Sequence, residues 1–271
     1  MSVHALSIAG SDSSGGAGIA ADLKTFAAWH AYGMAVITAV TAQNTRGVQA
    51  IHPVPADIVA AQLRALREDV RIDTIKLGMS GSASVVMAVA EFLRSVEAVP
   101  VVVDPVMLAS TGAVLSTDAA VDCLRSELLP LATVLTPNLP EAARLLDEPL
   151  AESVDAMVRQ ARRLLELGPR WVLLKGGHLP GASSVDVLVG PDDVLRLSGP
   201  RAATPNTHGT GCTLASAIAA LLPSSSVATA CRLAKQYVYK TLLAADRLQV
   251  GGGSGPVNHF PVPYPIMQVL A

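Results

Sequence analysis

The sequence predicts an α/β fold in which a mostly parallel sheet is covered by helices on both faces. Two observations carry this. Strand-like and helix-like segments alternate along the chain, and such alternation buries a parallel sheet between two helical layers. The residues are also those of a large aliphatic core. Of 271 residues, 51% are hydrophobic but only 3% aromatic, and a chain this long buries a large core of Ala, Val, Leu and Ile. No internal repeat or linker divides it, so residues 1–271 read as one domain.

Residues 4–9 form a short apolar strand that runs into the glycine-rich stretch 10–18, and residues 19–30 follow as a helix. Residues 35–42, rich in β-branched side chains, read as one strand ending at Gln43-Asn44. Residues 55–69 are helical. Residues 74–77 form a strand closing on Gly78-Met79, and 82–94 a helix. Val101-Val102-Val103 is a buried strand ending at Asp104-Pro105. Residues 117–129 are helical, 133–135 a strand ending at Thr136-Pro137-Asn138, and 151–167 a helix. Residues 170–174 form a strand ending at Lys175-Gly176-Gly177. Residues 185–188 and 194–197, split by Gly190-Pro191-Asp192, form an antiparallel hairpin at the sheet edge. Leu214, Ile218, Leu221 and Leu222 recur at helical spacing, and the final helix covers 227–248. From about residue 250, the glycine run 251–255 and the proline-rich end read as a flexible tail.

Bulk properties exclude several function classes. The net charge is -2 and no basic block occurs, which argues against a nucleic-acid or anionic-membrane partner. No apolar run reaches the roughly 18 residues of a membrane span. Cys123, Cys212 and Cys231 form neither a CxxC pair nor a zinc spacing, and reduced thiols fit a cytoplasmic protein. The N-terminus carries no signal-like segment.

The chain is organised around Thr207-His208-Gly209-Thr210-Gly211-Cys212-Thr213, just before an apolar helix. Glycines there let the backbone turn tightly and expose its amides. The first amides of a helix lack internal partners, and with the helix dipole they favour an anion, usually a phosphate. A plain glycine cap explains Gly-x-Gly alone, but less easily the added hydroxyls and thiol.

Other polar residues follow strands: Asp12, Gln43, Asn44, Met79, Asp104, Asn138 and Lys175. In open parallel sheets that is where ligands bind. Asp104 sits at the mouth of a buried strand, where a carboxylate needs a partner or a cation. Magnesium suits such a place, because it takes one or two carboxylates and completes its shell with phosphates and water. Glu141 is either a second such carboxylate or an ordinary charge at a helix start. His178, His208 and His259 receive no role. There is no G-x-x-x-x-G-K-[ST], so a P-loop is excluded. Gly16-Ala17-Gly18 mimics a dinucleotide fingerprint, but no acid lies about 20 positions on to hold a ribose.

These stretches resemble the hydroxymethylpyrimidine/phosphomethylpyrimidine kinases, the thiamine-biosynthesis branch of the ribokinase superfamily. The resemblance rests on Ala9-Gly10-Ser11-Asp12-Ser13, Gly15-Gly16-Ala17-Gly18-Ile19, Ala21-Asp22-Leu23-Lys24-Thr25, Val103-Asp104-Pro105-Val106-Met107, Thr136-Pro137-Asn138-Leu139-Pro140-Glu141, Lys175-Gly176-Gly177-His178 and residues 206–213, in order from about residue 6 to 259. It implies a ribokinase-like three-layer α/β/α sandwich with antiparallel edge strands. It also implies ATP, Mg2+, a small pyrimidine substrate, a homodimer and two successive phosphoryl transfers. By matching positions, Gln43 would read the aminopyrimidine edge, with Asp22 near the ring and Gly10, Met79 and Val106 lining it. Asp104 and Glu141 would serve magnesium, and Asn138, Lys175 and Thr207 the nucleotide. Gly209, Thr210, Gly211 and Cys212 would form the catalytic anion hole, with Cys212 acting either as a base or by position alone.

Four residues depart from the family pattern: Ser14 where Gly is frequent, Ser80 where Leu is usual, Ser110 where Lys is common, and Pro205 where Arg is common. The Ser110 departure predicts a weaker second transfer. Two other readings stand beside the kinase of pyrimidines: a pyridoxal/pyridoxine (vitamin B6) kinase on the same scaffold, and a non-catalytic pyrimidine- or nucleotide-binding protein.

Overall fold

The computed structural model describes residues 2–96, 98–107, 116–177 and 179–261. Ser110, His178 and the proline-rich end beyond residue 261 lie outside them. The main sheet uses β1 (His4–Ala9), β2 (Tyr32–Ile37), β5 (Thr74–Leu77), β6 (Val101–Val103), β7 (Val134–Leu135), β8 (Trp171–Leu174), β9 (Ser183–Val189) and β10 (Val194–Pro200). Their order is β10-β9-β8-β7-β6-β5-β1-β2. The strands from β2 to β8 run parallel, and β9 and β10 close one edge antiparallel. The expected mostly parallel sheet with antiparallel edge strands is borne out.

Alternation along each strand divides the core into two layers. Leu6, Ile8, Ile75, Leu77, Val101 and Val103 face α2 (Ala56–Asp69), α3 (Ala83–Ser95), α5 (Leu139–Leu146) and α6 (Val154–Leu165). Ala5, Val102, Val134, Leu173 and Leu188 face α1 (Gly18–Ala28), α7 (Thr210–Leu221) and α8 (Val227–Leu243). Among the described residues no helix is long and apolar enough to cross a membrane.

Four elements differ from the sequence reading. The single strand expected over 35–42 is two. The chain leaves the main sheet at Thr38, whose hydroxyl donates to the Met79 carbonyl at 2.6 Å. It then forms β3 (Ala39–Asn44), paired antiparallel with β4 (Gly47–Pro53) in a separate two-stranded sheet. β4 escapes sequence reading because most of it is exposed, so no apolar alternation marks it. The helix expected over 117–129 is α4 (Asp118–Cys123) followed by a π turn and a 3-10 turn, where Pro130 ends regular helix. The expected 151–167 helix begins only after Ser153, whose hydroxyl accepts the Ala156 N–H at 3.2 Å. α8 stops at Leu243, short of 248.

The glycine run expected as a flexible break is packed against the body. Gly253 N–H donates to Thr45 Oγ1 at 3.1 Å and Gly255 N–H to Asn206 Oδ1 at 2.8 Å. The next residues bond to the loop before α7: His208 N–H donates to the Gly255 carbonyl and Val257 N–H to the His208 carbonyl. Val257 is fully buried. This segment straps the central loop in place.

Candidate active site

The neighbours of β1 are β2 on one side and β5 on the other. The loops that follow diverge there and leave a crevice beyond the carboxyl ends, where such sheets bind ligands. The crevice opens into a cleft of about 1130 Å³. Gly10, Gln43, Met79, Val106, Asp104, Asn138, Glu141, Lys175, Thr207 and residues 209–212 all line it. Asp22 and Asn44, also singled out from sequence, do not line it.

One end of the cleft is built for an anion. Gly209 caps α7 with φ +80, and a Cβ there would run into the Gly16 carbonyl oxygen, so only glycine permits this turn. Thr210 N–H is already committed to the Thr207 carbonyl at 3.2 Å, and Thr213 N–H to that of Gly209 at 2.9 Å. Of the four amides expected to form the anion hole, Thr210's is therefore used internally. Those of Gly211 and Cys212 remain at the helix mouth.

Beside this mouth stands Lys175, held by β8. Its Nζ donates to Asp104 Oδ1 at 2.9 Å and lies 3.9 Å from Glu141 Oε2. Thr136 Oγ1 donates to the same Asp104 oxygen at 3.2 Å. Burial alone would lower the Lys175 pKa, but Asp104 and then Glu141 outweigh it and the ammonium stays protonated.

Asn138 and Glu141 form a capping box on α5. Asn138 Oδ1 accepts the Glu141 N–H at 2.8 Å, and Glu141 Oε2 accepts the Asn138 N–H at 2.7 Å. The helix-start reading of Glu141 therefore holds as a cap, and the same carboxylate lines the cleft. Burial lifts its pKa to about 7, with Lys175 opposing and Asp104 reinforcing.

Asp22 requires a correction. It sits on α1 beneath the cleft floor, fully buried. Its carboxylate accepts from Ser7 Oγ at 2.5 Å, Ser216 Oγ at 2.7 Å and Lys76 Nζ at 2.8 Å. These partners engage it from β1, α7 and β5, and it does not line the cleft where it was expected near the ring. Lys76 is a cleft-lining residue that sequence reading missed. It is fully buried, yet lines the cleft floor. Burial would lower its pKa, but Asp22, with Cys212 and Asp104, raises it.

Cys212 lies at the cleft floor above Lys76. Two opposing effects are expected from sequence: a helix end that favours thiolate and a phosphate that repels it. A third effect dominates in the fold. Burial pushes the thiol up to about 11, Lys76 pulls the other way, and Asp22 and Asp104 add to the rise. At neutral pH the group is a thiol.

The other end of the cleft holds Gln43, Gly10, Met79 and Val106. Here Asp12 organises the glycine-rich loop. Its carboxylate accepts the N–H groups of Ser14, Gly16 and Ala17 and the Ser14 hydroxyl, at 2.7–3.0 Å. The Ser14 departure therefore adds a bond that a glycine lacks. His208 Nε2 completes the set at 2.7 Å from Asp12 Oδ2. Burial would raise the Asp12 pKa, but the hydrogen bonds from His208 and Ser14 bring it down to about 2.

Among the described residues no group of three or more His, Cys, Asp or Glu could enclose a metal. The donor set at the helix mouth is two carboxylates, Asp104 and Glu141. That suits a hard cation taking its remaining ligands from phosphate and water.

A mostly parallel α/β sandwich with Lys76, Lys175, Asp104, Glu141 and an open helix end in one cleft has the make-up of a ribokinase-like phosphotransferase. The chain belongs to the phosphomethylpyrimidine kinase family, which it matches over residues 12–258. The hydroxymethylpyrimidine/phosphomethylpyrimidine kinase of Escherichia coli (strain K12) is 52% identical over 259 residues, spanning 95% of this chain and 97% of that protein. The crystal structure of phosphomethylpyrimidine kinase from Clostridium difficile 630 superposes with a TM-score of 0.77 at 42% identity, covering 87% of this chain and 97% of that one. An ADP complex of Bacillus subtilis pyridoxal kinase superposes with a TM-score of 0.89 at 34% identity, covering 96% of this chain and 98% of that one.

Proposed function

We propose that this chain transfers a phosphoryl group from ATP to 4-amino-5-hydroxymethyl-2-methylpyrimidine and then to its monophosphate, for thiamine biosynthesis. The observation that carries the reading is the meeting of Lys175, Asp104 and the N-terminus of α7 at one point. A Cβ on Gly211 would stand 3.2 Å from Lys175 Nζ and 3.6 Å from Asp104 Oδ2. The donor's phosphates belong at this end, against the open amides of α7 and the Lys175 ammonium. The pyrimidine belongs between Gly10, Met79 and Val106, with Gln43 at its edge.

Phosphoryl transfer depends chiefly on positioning and charge stabilisation. The amides of Gly211 and Cys212 and the ammonium groups of Lys76 and Lys175 face the charge that develops on the transferring group. Asp22 keeps Lys76 charged and in place. Asp104 does the same for Lys175. Asp104 and Glu141 would hold magnesium, which when bound neutralises phosphate charge. Cys212, as a neutral thiol, contributes shape and its backbone amide rather than a base. A homodimer is part of the reading through the family resemblance.

Pyridoxal kinases are the alternative, favoured by the closer superposition of the Bacillus subtilis enzyme. Higher identity, at 52% with the Escherichia coli pyrimidine kinase against 34%, supports the pyrimidine reading. The test is ATP consumption by the purified chain with hydroxymethylpyrimidine as acceptor. Consumption should require magnesium and stop with a chelator. Turnover unaffected by the chelator would overturn the assignment of Asp104 and Glu141.

A further inference from the structure

Gln43 and His208 come from opposite ends of the chain and meet at the ring end of the cleft. His208 Nε2 lies 2.7 Å from Asp12 Oδ2. A carboxylate only accepts, so Nε2 carries a proton whether the ring is neutral or charged. The Gln43 amide also approaches this nitrogen. With Nε2 of Gln43 at that place, 3.4 Å away, two donors would face each other. At the amide's other end stands Thr41 Oγ1. Its hydroxyl gives its single proton to the Ser11 carbonyl at 2.8 Å, so it offers only lone pairs to Gln43. With Oε1 of Gln43 there, at 3.3 Å, two acceptors would meet.

A half-turn of the amide removes both conflicts. Its two ends have the same shape, so the neighbouring hydrogen bonds decide which way it points. Oε1 then takes the minor branch of a three-centre bond from the His208 Nε2–H, whose main acceptor is Asp12, and Nε2 donates to Thr41 Oγ1. Each end keeps capacity for a ligand: a second lone pair on Oε1 and a second hydrogen on Nε2.

We infer that His208, held by Asp12, is a specificity-determining positioning residue that fixes the polarity of the Gln43 amide toward the substrate. The inference rests on the functional reading above, in which Gln43 meets the ring. The locked amide presents an acceptor on the His208 side and a donor on the Thr41 side. It fits a heterocycle edge with an exocyclic amino group beside an unprotonated ring nitrogen. It disfavours the edge of opposite polarity, a carbonyl beside a ring N–H, because turning the amide to match it restores both conflicts.

Calorimetric binding of two ligands to the full chain tests this: 4-amino-5-hydroxymethyl-2-methylpyrimidine and its 4-oxo counterpart. The wild type should prefer the amino compound by about 100-fold or more, since a site built for one hydrogen-bond pattern leaves polar groups unpaired with the other. His208→Leu frees the amide, and the preference should fall by at least about tenfold. His208→Gln should keep it, because a carboxamide facing Asp12 must also turn its N–H to the carboxylate. An unchanged preference in folded His208→Leu would overturn the inference alone. Failure of the wild type to bind the amino compound would overturn the functional reading and the inference with it. Should His208→Leu not fold, the imidazole nitrogen spectrum of 15N-histidine-labelled wild type decides: protonated Nε2 at pH 8 supports the lock, and a bare Nε2 overturns it.

Discussion

Lys175 places its ammonium 2.9 Å from the Asp104 carboxylate, across 71 positions of sequence. The pair closes a cation and an anion over the mouth of α7. Lys175→Met would leave Asp104 and Glu141 facing each other without compensation. We predict a loss in kcat/KM on the order of 100-fold or more, as for other groups that stabilise developing charge. Steady-state kinetics in ATP checks it. A loss confined to the pyrimidine KM would place Lys175 elsewhere.

Asp22 and Lys76 form a buried ion pair with both side chains fully inaccessible. Removing one partner of such a pair strands a charge and costs about 3–5 kcal/mol. Asp22→Asn should therefore lower the free energy of unfolding by about that amount in urea titration. Asp22→Asn combined with Lys76→Met should recover part of it. An effect of Asp22→Asn on the pyrimidine KM with unchanged stability would return Asp22 to the substrate.

Glu141 ionises at about 7 in the folded chain against an ordinary 4.5. A carboxyl whose folded pKa is raised stabilises fully below its unfolded value. That contribution is lost as pH rises from about 4.5 through about 7. Glu141→Gln keeps an acceptor for the cap and removes the charge. Without nucleotide, its Tm relative to wild type should therefore improve between pH 5 and pH 8. In the assay its magnesium half-saturation should rise. No change in magnesium dependence would leave Glu141 as a cap alone.

Cys212 is protonated at working pH. Cys212→Ser should reduce kcat by less than about tenfold, because little base catalysis is asked of the group. The wild-type rate should show no titration near pH 8.5, the ordinary thiol range. Gly211→Val, which drives bulk toward Lys175 and Asp104, should cost on the order of 100- to 1000-fold. A heavy loss in Cys212→Ser with recovery in Cys212→Asp would make the side chain a base.

The sequence carried the layered sheet and most of the cleft because both follow from local pattern. Short aliphatic strands ending in polar residues place Asp104, Asn138 and Lys175 at one edge of the sheet. Asn138-x-x-Glu141 is a legible capping box. Lys76 was legible in principle: a lysine inside Thr74-Ile75-Lys76-Leu77, a strand buried on both faces, must find a counter-charge. Its partner Asp22 comes from another element, so local pattern cannot pair them. The Asp12–His208 contact spans 196 positions and leaves no periodic trace. β4 was hidden because exposed strands need no apolar alternation.

The cleft is proposed above to phosphorylate an aminopyrimidine alcohol. The most direct measurement is kcat/KM with ATP and magnesium for hydroxymethylpyrimidine, its monophosphate and pyridoxal in parallel. Products are identified by 31P NMR. Both pyrimidines should be phosphorylated, the diphosphate should accumulate, and hydroxymethylpyrimidine should exceed pyridoxal by at least about tenfold, the discrimination expected of a hydrogen-bonded ring edge. Phosphorylation of pyridoxal with equal or greater efficiency, or no turnover of either pyrimidine, would contradict the proposal.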